Sequence, residues 1–341
     1  MTGRAIVGAV QKHGGTLSEE DLLEHRTAFP EPICARYRDV RLWQVPPNGQ
    51  GIAGLIALRG LEALEEAGRI DRIQDEAGLC PTSAPTMHAM LEMTRLGLGD
   101  ARSFVCDPER QQHTEQNTDW LLDETRIAAR ALDTFDPDRA VAQGEAPPPS
   151  GTVSFQVVDG AGNAVSFVNS NFMGFGTGLV PDGCGFTLQN RGYGFDLDAA
   201  HPNALAPRKR PYHTIIPGIL THADTDGLYA TLSNMGGYMQ PQGHLQLTVD
   251  LVAGGVDPQC AVDLPRFCIA DGTRGGVAMI EDGVEEAVLE ELRRMGHNIQ
   301  SGISSFSRSV FGRAQIIKKD RETGVLWAGS DGRADGCAMG Y

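Results

Sequence analysis

The pair Gly151-Thr152 stands where a proline-rich segment gives way to a strand-like one. Residues 136–151 contain several prolines and few large apolar side chains, which predicts an exposed, extended linker. Because Gly151 has no Cβ, the Thr152 hydroxyl can approach the preceding carbonyl with little steric hindrance. An N→O acyl shift followed by hydrolysis would free the Thr152 α-amine, a general base for its own hydroxyl. Taken alone, the pair is more simply interpreted as a junction between loop and strand. The choice between that junction and a self-cleavage site depends on the rest of the sequence.

The elements around this pair change character at Thr152. The first third of the chain is predicted to be mostly helical, with a helix that Ser18 caps, a second ending near Gly68 and a third over residues 86–105. The remainder is predicted to mix strands with helices, which indicates a layered α/β or α+β domain. Strands are predicted near residues 152–157, 164–168, 185–188, 214–220, 228–232, 277–280, 310–317 and 325–328, and helices near residues 243–252 and 284–295.

Composition excludes several classes of function. The chain has 341 residues, a formal net charge of −15 and a pI near 5.0, so it should repel nucleic acid and anionic membranes. No segment reaches the roughly 18 consecutive apolar residues that a membrane span needs. The seven cysteines are dispersed and form no CxxC pair, which predicts free thiols, no metal site and a cytoplasmic location.

Six blocks of sequence, in the right order, resemble γ-glutamyltranspeptidases, and in particular the glutathione hydrolase-like subgroup. Together they cover nearly the whole chain. The blocks before the linker read GGTLSEEDLLEH and YRDVRLWQVPPNGQGIAGLIAL. The blocks from Thr152 onward read TVSFQVVDGAGNAVSFVNSNFMGFGTGLVPDGCGFTLQNRGYGF, HPNALAPRKRPYHTIIPGIL, NMGGYMQPQGHLQ and GSDGRADGCAMGY.

The resemblance implies an α+β fold, the four-layer αββα sandwich of N-terminal-nucleophile hydrolases. It also implies autocleavage between Gly151 and Thr152. Residues 1–151 would then be the C-terminal part of a large subunit, and residues 152–341 the small, catalytic subunit. The family's chains begin well before the position of Met1, so part of the N-terminal region is expected to be missing. That loss would expose apolar surface and strand edges.

Position by position, Thr152 falls on the family's catalytic threonine and Ser170 on the hydroxyl residue that supports it. Gly236 and Gly237 fall on the pair whose backbone N–H groups form the oxyanion hole. Glycines suit that role because they let donors approach a developing oxyanion closely. Without this context, the two glycines would be read as a turn that ends a strand. No metal or organic cofactor is implied, because the chain supplies nucleophile, base and oxyanion donors.

The substrate-binding positions depart from the transpeptidases. Asn190 and Arg191 lie in QNRGYG, where the transpeptidases place polar and acidic groups that hold a substrate amine, and His213 and Thr214 replace consecutive serines. We hypothesise that Arg191 binds a substrate carboxylate; a structural ion pair is the alternative. For His213, a pocket wall or substrate contact is favoured over a catalytic base, because the freed amine already supplies one.

These features predict an amidohydrolase that cleaves a small γ-glutamyl amide through an acyl-enzyme. One alternative keeps the mechanism but takes oxamate-like or other acyl amides. The other is an uncleaved, inactive paralogue with a binding or regulatory role. The expected partners are the small-molecule substrate and the chain's own two subunits, without nucleic acid or membrane.

Overall fold

A six-stranded antiparallel sheet forms the centre of the computed structural model, which describes residues 1–74, 82–111, 114–140, 151–270, 272 and 275–341. Its strand order is β1-β2-β5-β6-β10-β11. The first two strands precede Thr152 and the other four follow it, so the two predicted subunits share one sheet. The strands are β1 (Ile33–Tyr37), β2 (Val40–Gln44), β5 (Gly218–His222), β6 (Leu228–Asn234), β10 (Ala314–Lys319) and β11 (Leu326–Ser330).

Helices cover one face of this sheet. On β6, Ala230 and Leu232 are fully buried in the core that includes apolar residues of α3, α4 and α7. Because side chains alternate along a strand, Thr231 and Ser233 face the other way. The helices are α1 (Thr2–Lys12), α2 (Glu19–Glu24), α3 (Gly51–Glu66), α4 (Ala84–Phe104), α5 (Thr118–Leu121), α6 (Glu124–Thr134), α7 (Met239–Val252), α8 (Pro258–Asp263) and α9 (Glu286–Arg294). No helix in the described part of the chain is long and apolar enough to span a membrane.

A two-stranded hairpin, β3 (Gly151–Val158) and β4 (Ala164–Phe172), packs on the opposite face. Its inward side chains are polar: Gln156 donates to Ser233 Oγ at 2.8 Å, and Ser233 Oγ donates to Ser154 Oγ at 2.8 Å. Its outward side chains are apolar and exposed, with Phe155 50% and Phe167 44% accessible. The arrangement is therefore helices, sheet and hairpin in successive layers, consistent with the expected α+β class.

A three-stranded sheet completes the fold beside α7 and α9. It consists of β7 (Phe267–Ile269), β8 (Ala278–Glu281) and β9 (Ile299–Ile303), with β7 antiparallel and β9 parallel to β8. Buried ion pairs attach the C-terminal segment here: Arg266 contacts Asp331 at 2.8 Å, and Arg333 contacts both Asp331 and Glu281. Arg266 also donates to Asn234 Oδ1 at 3.2 Å, so this cluster reaches the end of β6.

Local signals located five of the nine helices in the described residues, and several strands; the helices α1, α5, α6 and α8 were not predicted. Ser18 and Asp21 form the expected capping box of α2, and the hairpin β3–β4 follows its predicted alternation. The first third is less helical than predicted, because it contributes β1 and β2; each has only five residues and is stabilised by pairing within the central sheet. The linker residues 141–150 lie outside the described residues.

Residues 185–188 form no strand; they lie in an irregular connection. The strand predicted over residues 214–220 begins only at Gly218, since Pro217 has no N–H to donate and the Thr214 carbonyl bonds to Gln50 instead. The strand predicted over residues 310–317 begins at Ala314, after a 3₁₀ turn that ends at Gly312 with φ 74°.

Candidate active site

Thr152, the predicted nucleophile, lies on the inward face of the hairpin. Alternation along β3 places it on the same side as Ser154 and Gln156, and it is 4% exposed. Its Oγ1 donates to Ser170 Oγ at 3.0 Å, because the antiparallel register sets Thr152 directly opposite Ser170. A register shift between Gly151 and Thr152 interrupts the ladder at the predicted cleavage point.

Ser170, which accepts the Thr152 hydroxyl, is itself held by two further hydrogen bonds. Its Oγ also accepts the N–H of Phe172 at 2.9 Å, and its carbonyl accepts a bond from Arg191 at 3.4 Å. The hydroxyl position of Ser170 is thus fixed relative to Thr152.

Gly236 and Gly237 follow β6 and lead into α7. Both have positive φ, 124° and 59°, which favours glycine. The Gly236 carbonyl accepts the Met239 N–H at 3.1 Å, so in a trans peptide the Gly237 N–H points away from α7. The Met235 carbonyl lies against Gly312, where a Cβ would approach it to 2.0 Å, so the Gly236 N–H points away from that contact. Within the described residues neither N–H has an acceptor, as an oxyanion hole requires.

Arg191 is a buried cation beside the nucleophile. It is 4% exposed, donates to Thr214 Oγ1 and the Ser170 carbonyl, and stacks over Phe172 at 4.9 Å from the ring centroid. Burial lowers the pKa of Arg191 to about 10, so the guanidinium stays charged at neutral pH. No carboxylate among the described residues pairs with it.

His213 and Asn190 have structural bonds within the same region. The His213 backbone bridges Asn48 and Gln50, and its Nδ1 accepts the Ile215 N–H at 3.3 Å, so the ring proton belongs on Nε2. Burial and the nearby Arg191 charge lower the pKa of His213 to about 3, which makes it a weak base. Asn190 faces the hairpin instead, where its Oδ1 accepts the Met173 N–H at 3.1 Å.

Gln50, which is not among the predicted site residues, joins these groups. Its Nε2 donates to the carbonyls of Thr214 at 2.8 Å and Gly237 at 2.7 Å, and the residue is fully buried. Hydrogen bonds therefore link neighbouring residues from Thr152 through Ser170, Arg191, Thr214 and Gln50 to Gly237; at Ser170 and Thr214 one bond uses the hydroxyl and the other the backbone carbonyl. The only local signal was a polar residue between the turn PPNG and the start of α3.

The described residues that come nearest to a metal-ligand set lie elsewhere. His88, Glu92 and His297 are buried, with ligand atoms within 4.8 Å of one another. However, His88 Nδ1 and His297 Nε2 hydrogen-bond directly at 2.7 Å, and Glu92 lies 3.6 Å from Arg95. We therefore regard this group as a buried polar cluster and assign no metal to it.

Comparisons with known proteins show what this chain is similar to. The family profile described as gamma-glutamyltranspeptidase matches residues 1–341. The chain is 31% identical to the glutathione hydrolase-like YwrD proenzyme of Bacillus subtilis, over 98% of this chain and 60% of that protein. It is 30% identical to the oxamate amidohydrolase proenzyme of Klebsiella pneumoniae, over 94% of this chain and 57% of that protein.

The fold is also that of a solved acylase. The crystal structure of cephalosporin acylase from Bacillus halodurans superimposes with a TM-score of 0.85 at 36% identity, covering 100% of this chain and 59% of the acylase. The chain thus spans about 60% of the length of the relatives it matches. Profile, sequence and fold lead to one conclusion: the chain belongs to the gamma-glutamyltranspeptidase family.

Proposed function

We propose that this protein is an autoprocessing amidohydrolase in which Thr152 is the nucleophile. The observation that carries the proposal is the Thr152–Ser170 hydrogen bond at 3.0 Å, linked through Arg191 and Gln50 to a turn with two unused N–H donors. Nucleophile, oxyanion donors and a charged recognition group then belong to one network. The activity of the whole protein is also a proposal, because the relatives whose names state an activity are longer than this chain.

Processing comes first in the proposed mechanism. The Thr152 hydroxyl attacks the Gly151 carbonyl carbon, the C–N bond to Thr152 breaks, and the resulting ester is hydrolysed. Cleavage leaves Gly151 with a carboxylate and Thr152 with a free α-amine, whose reference pKa is about 7.7–8.0. That amine accepts the hydroxyl proton in the next step.

Turnover uses the same groups. Thr152 Oγ1 attacks the substrate amide carbonyl, and the amide N–H groups of Gly236 and Gly237 stabilise the oxyanion. The Thr152 α-amine then gives the proton it has taken to the nitrogen of the substrate amide. The substrate's C–N bond breaks, the amine product leaves, and the acyl group stays on Thr152 Oγ1 as an acyl-enzyme. Water then attacks the ester, releases the acid and restores the hydroxyl.

Substrate choice follows from Arg191. A buried guanidinium without a described carboxylate partner suits the carboxylate of a small acyl group. A γ-glutamyl amide carries such a carboxylate, but it also carries an ammonium that this cation would repel. Amine-free acidic acyl amides, of which oxamate is the smallest, avoid that repulsion and form the second candidate class. The names of the Bacillus subtilis and Klebsiella pneumoniae relatives cover both classes.

The test begins with processing. We expect purified protein to give two fragments by intact mass, the smaller beginning at Thr152, whereas Thr152→Ala stays whole. Processed enzyme is then assayed on γ-glutamyl-p-nitroanilide, glutaryl-p-nitroanilide and oxamate, with Thr152→Ala as the inactive control. An unprocessed wild type without amidase activity would contradict the proposal and favour the binding-protein alternative.

A further inference from the structure

Among the side-chain hydrogen bonds of the described residues, only those of Gln50 reach both Gly237, in the predicted oxyanion turn Gly236-Gly237, and Thr214, which accepts a bond from Arg191. Its two Nε2 hydrogens go to the Thr214 and Gly237 carbonyls, at 2.8 and 2.7 Å. Its Oε1 accepts from the Tyr212 hydroxyl at 3.4 Å, and its backbone N–H donates to the His213 backbone carbonyl at 2.8 Å. Every polar group of this side chain is engaged, and no solvent reaches it.

The bond to Gly237 completes the fixing of that residue's conformation. The peptide before Gly237 is held by the Met239 N–H, and the peptide after it by the Gln240 N–H at 3.1 Å and by Gln50. With both flanking peptides held, φ and ψ of Gly237 are set, and so is the direction of its N–H. Because glycine is otherwise free to rotate, this constraint matters more here than at other residue types.

The bond from Gln50 to Thr214 helps in the same way to fix the position of the Arg191 guanidinium. Thr214 is fully buried and its Oγ1 accepts from Arg191, so Gln50 fixes the residue that positions the guanidinium. Gln50 precedes the predicted cleavage point, whereas Thr214 and Gly237 follow it. The contact therefore crosses between the two predicted subunits.

We infer that Gln50 is a positioning residue that aligns the oxyanion turn with the carboxylate-binding arginine across the subunit boundary. The inference rests on the proposed function. Gln50 touches no reacting atom; it acts through Gly237 and Thr214. Displacing a catalytic donor by about 1 Å can cost on the order of 10²-fold in rate, so removing this residue should lower kcat far more than it raises KM.

The experiment compares Gln50→Met with Gln44→Met in the processed full-length protein. Gln44 is a matched control: it is also a buried glutamine, but its Nε2 contacts His244 at 2.8 Å rather than the turn. Both variants are assayed on the substrate that wild type turns over best, and thermal midpoints are recorded for all three. We expect Gln50→Met to lower kcat about 10²-fold with a smaller rise in KM, because both the oxyanion turn and Arg191 lose a support, and Gln44→Met to keep kcat and KM within about twofold.

Equal kcat losses in the two variants, or a Gln50→Met kcat close to wild type, would overturn the inference. If Gln50→Met yields no processed protein, Gln50→Glu is measured instead, since it keeps the size but cannot donate to both carbonyls at once. The same kcat loss is then expected. A wild-type protein without amidase activity would remove both this inference and the proposed function, whereas active wild type with an equally active Gln50 variant would remove the inference alone.

Discussion

Arg191 and Arg266 are both buried guanidinium groups, and their surroundings differ in one respect. Arg266 lies 2.8 Å from the Asp331 carboxylate, while Arg191 contacts a hydroxyl, a carbonyl and an aromatic ring. Burial lowers the pKa of each. A buried charge is costly without a counter-ion, and a substrate carboxylate would supply one at Arg191. The structural ion pair that the sequence left open is not seen among the described residues.

Replacing Arg191 with methionine should weaken binding of acidic substrates. Methionine keeps part of the apolar stem over Phe172 but removes the charge. Hydrogen bonds to charged groups contribute about 1.5–3 kcal/mol, so KM for a carboxylate-bearing acyl amide should rise roughly 10- to 100-fold while autocleavage persists. Steady-state kinetics of Arg191→Met and of Arg321→Gln, an exposed control, would check this. An unchanged KM would remove Arg191 from the recognition site.

At the scale of elements, sequence patterns predicted those features of the helices and strands that depend on local interactions. The capping box of Ser18 and the alternation of β3 and β4 depend on neighbouring residues, and both were predicted. The strand β2 depends on β5, whose residues lie about 180 positions later, for example Val40 opposite His222, and β1 pairs in turn with β2. Thr152, Ser170 and the glycine pair were located by resemblance. Gln50 was not, because its role exists only once Thr214 and Gly237 converge on it.

The contact between α4 and the turn after α9 should make stability depend on pH. His297 Nε2 bonds to His88 Nδ1 at 2.7 Å, and His88 Nε2 bonds to the Asp136 carbonyl at 2.8 Å. Burial lowers the pKa of His297 to about 3, with smaller contributions from His88 and Arg95, and burial also lowers the pKa of His88. Both imidazoles are therefore neutral in the folded protein at neutral pH.

A histidine with a depressed folded pKa binds more protons when unfolded, between about pH 6.5 and its folded pKa. The contribution of this pair to the free energy of unfolding is therefore fully present above about pH 6.5 and is lost as pH falls. The loss is about 1.4 kcal/mol per pH unit for each proton that the unfolded state binds and the folded state does not. Urea unfolding at pH 7.5 and 5.5 should show a smaller acid loss for His297→Asn than for wild type. The exposed control His13→Gln should lose as much as wild type, and equal losses in all three would contradict the prediction.

At the scale of the whole molecule, the hairpin leaves one large apolar surface uncovered. Val153, Phe155, Val157, Val165 and Phe167 are 44–67% exposed, and the two phenyl rings stack at 4.7 Å. The hairpin is a sheet of two strands within the described residues, so its outer edges also have unpaired backbone groups. Contiguous apolar patches and open edges promote association between copies.

The chain should therefore self-associate through this face in a concentration-dependent way. The double variant Phe155→Thr/Phe167→Thr keeps strand propensity but removes the stacked rings, so it should shift the sedimentation-velocity distribution toward monomer. Processing should continue, because both side chains point away from Thr152. Phe306→Thr is the matched control, since that phenylalanine is 98% exposed but lies outside the hairpin, and it should associate like wild type. If wild type is monomeric across the concentration range, the hairpin face is not available to a second copy and the prediction is wrong.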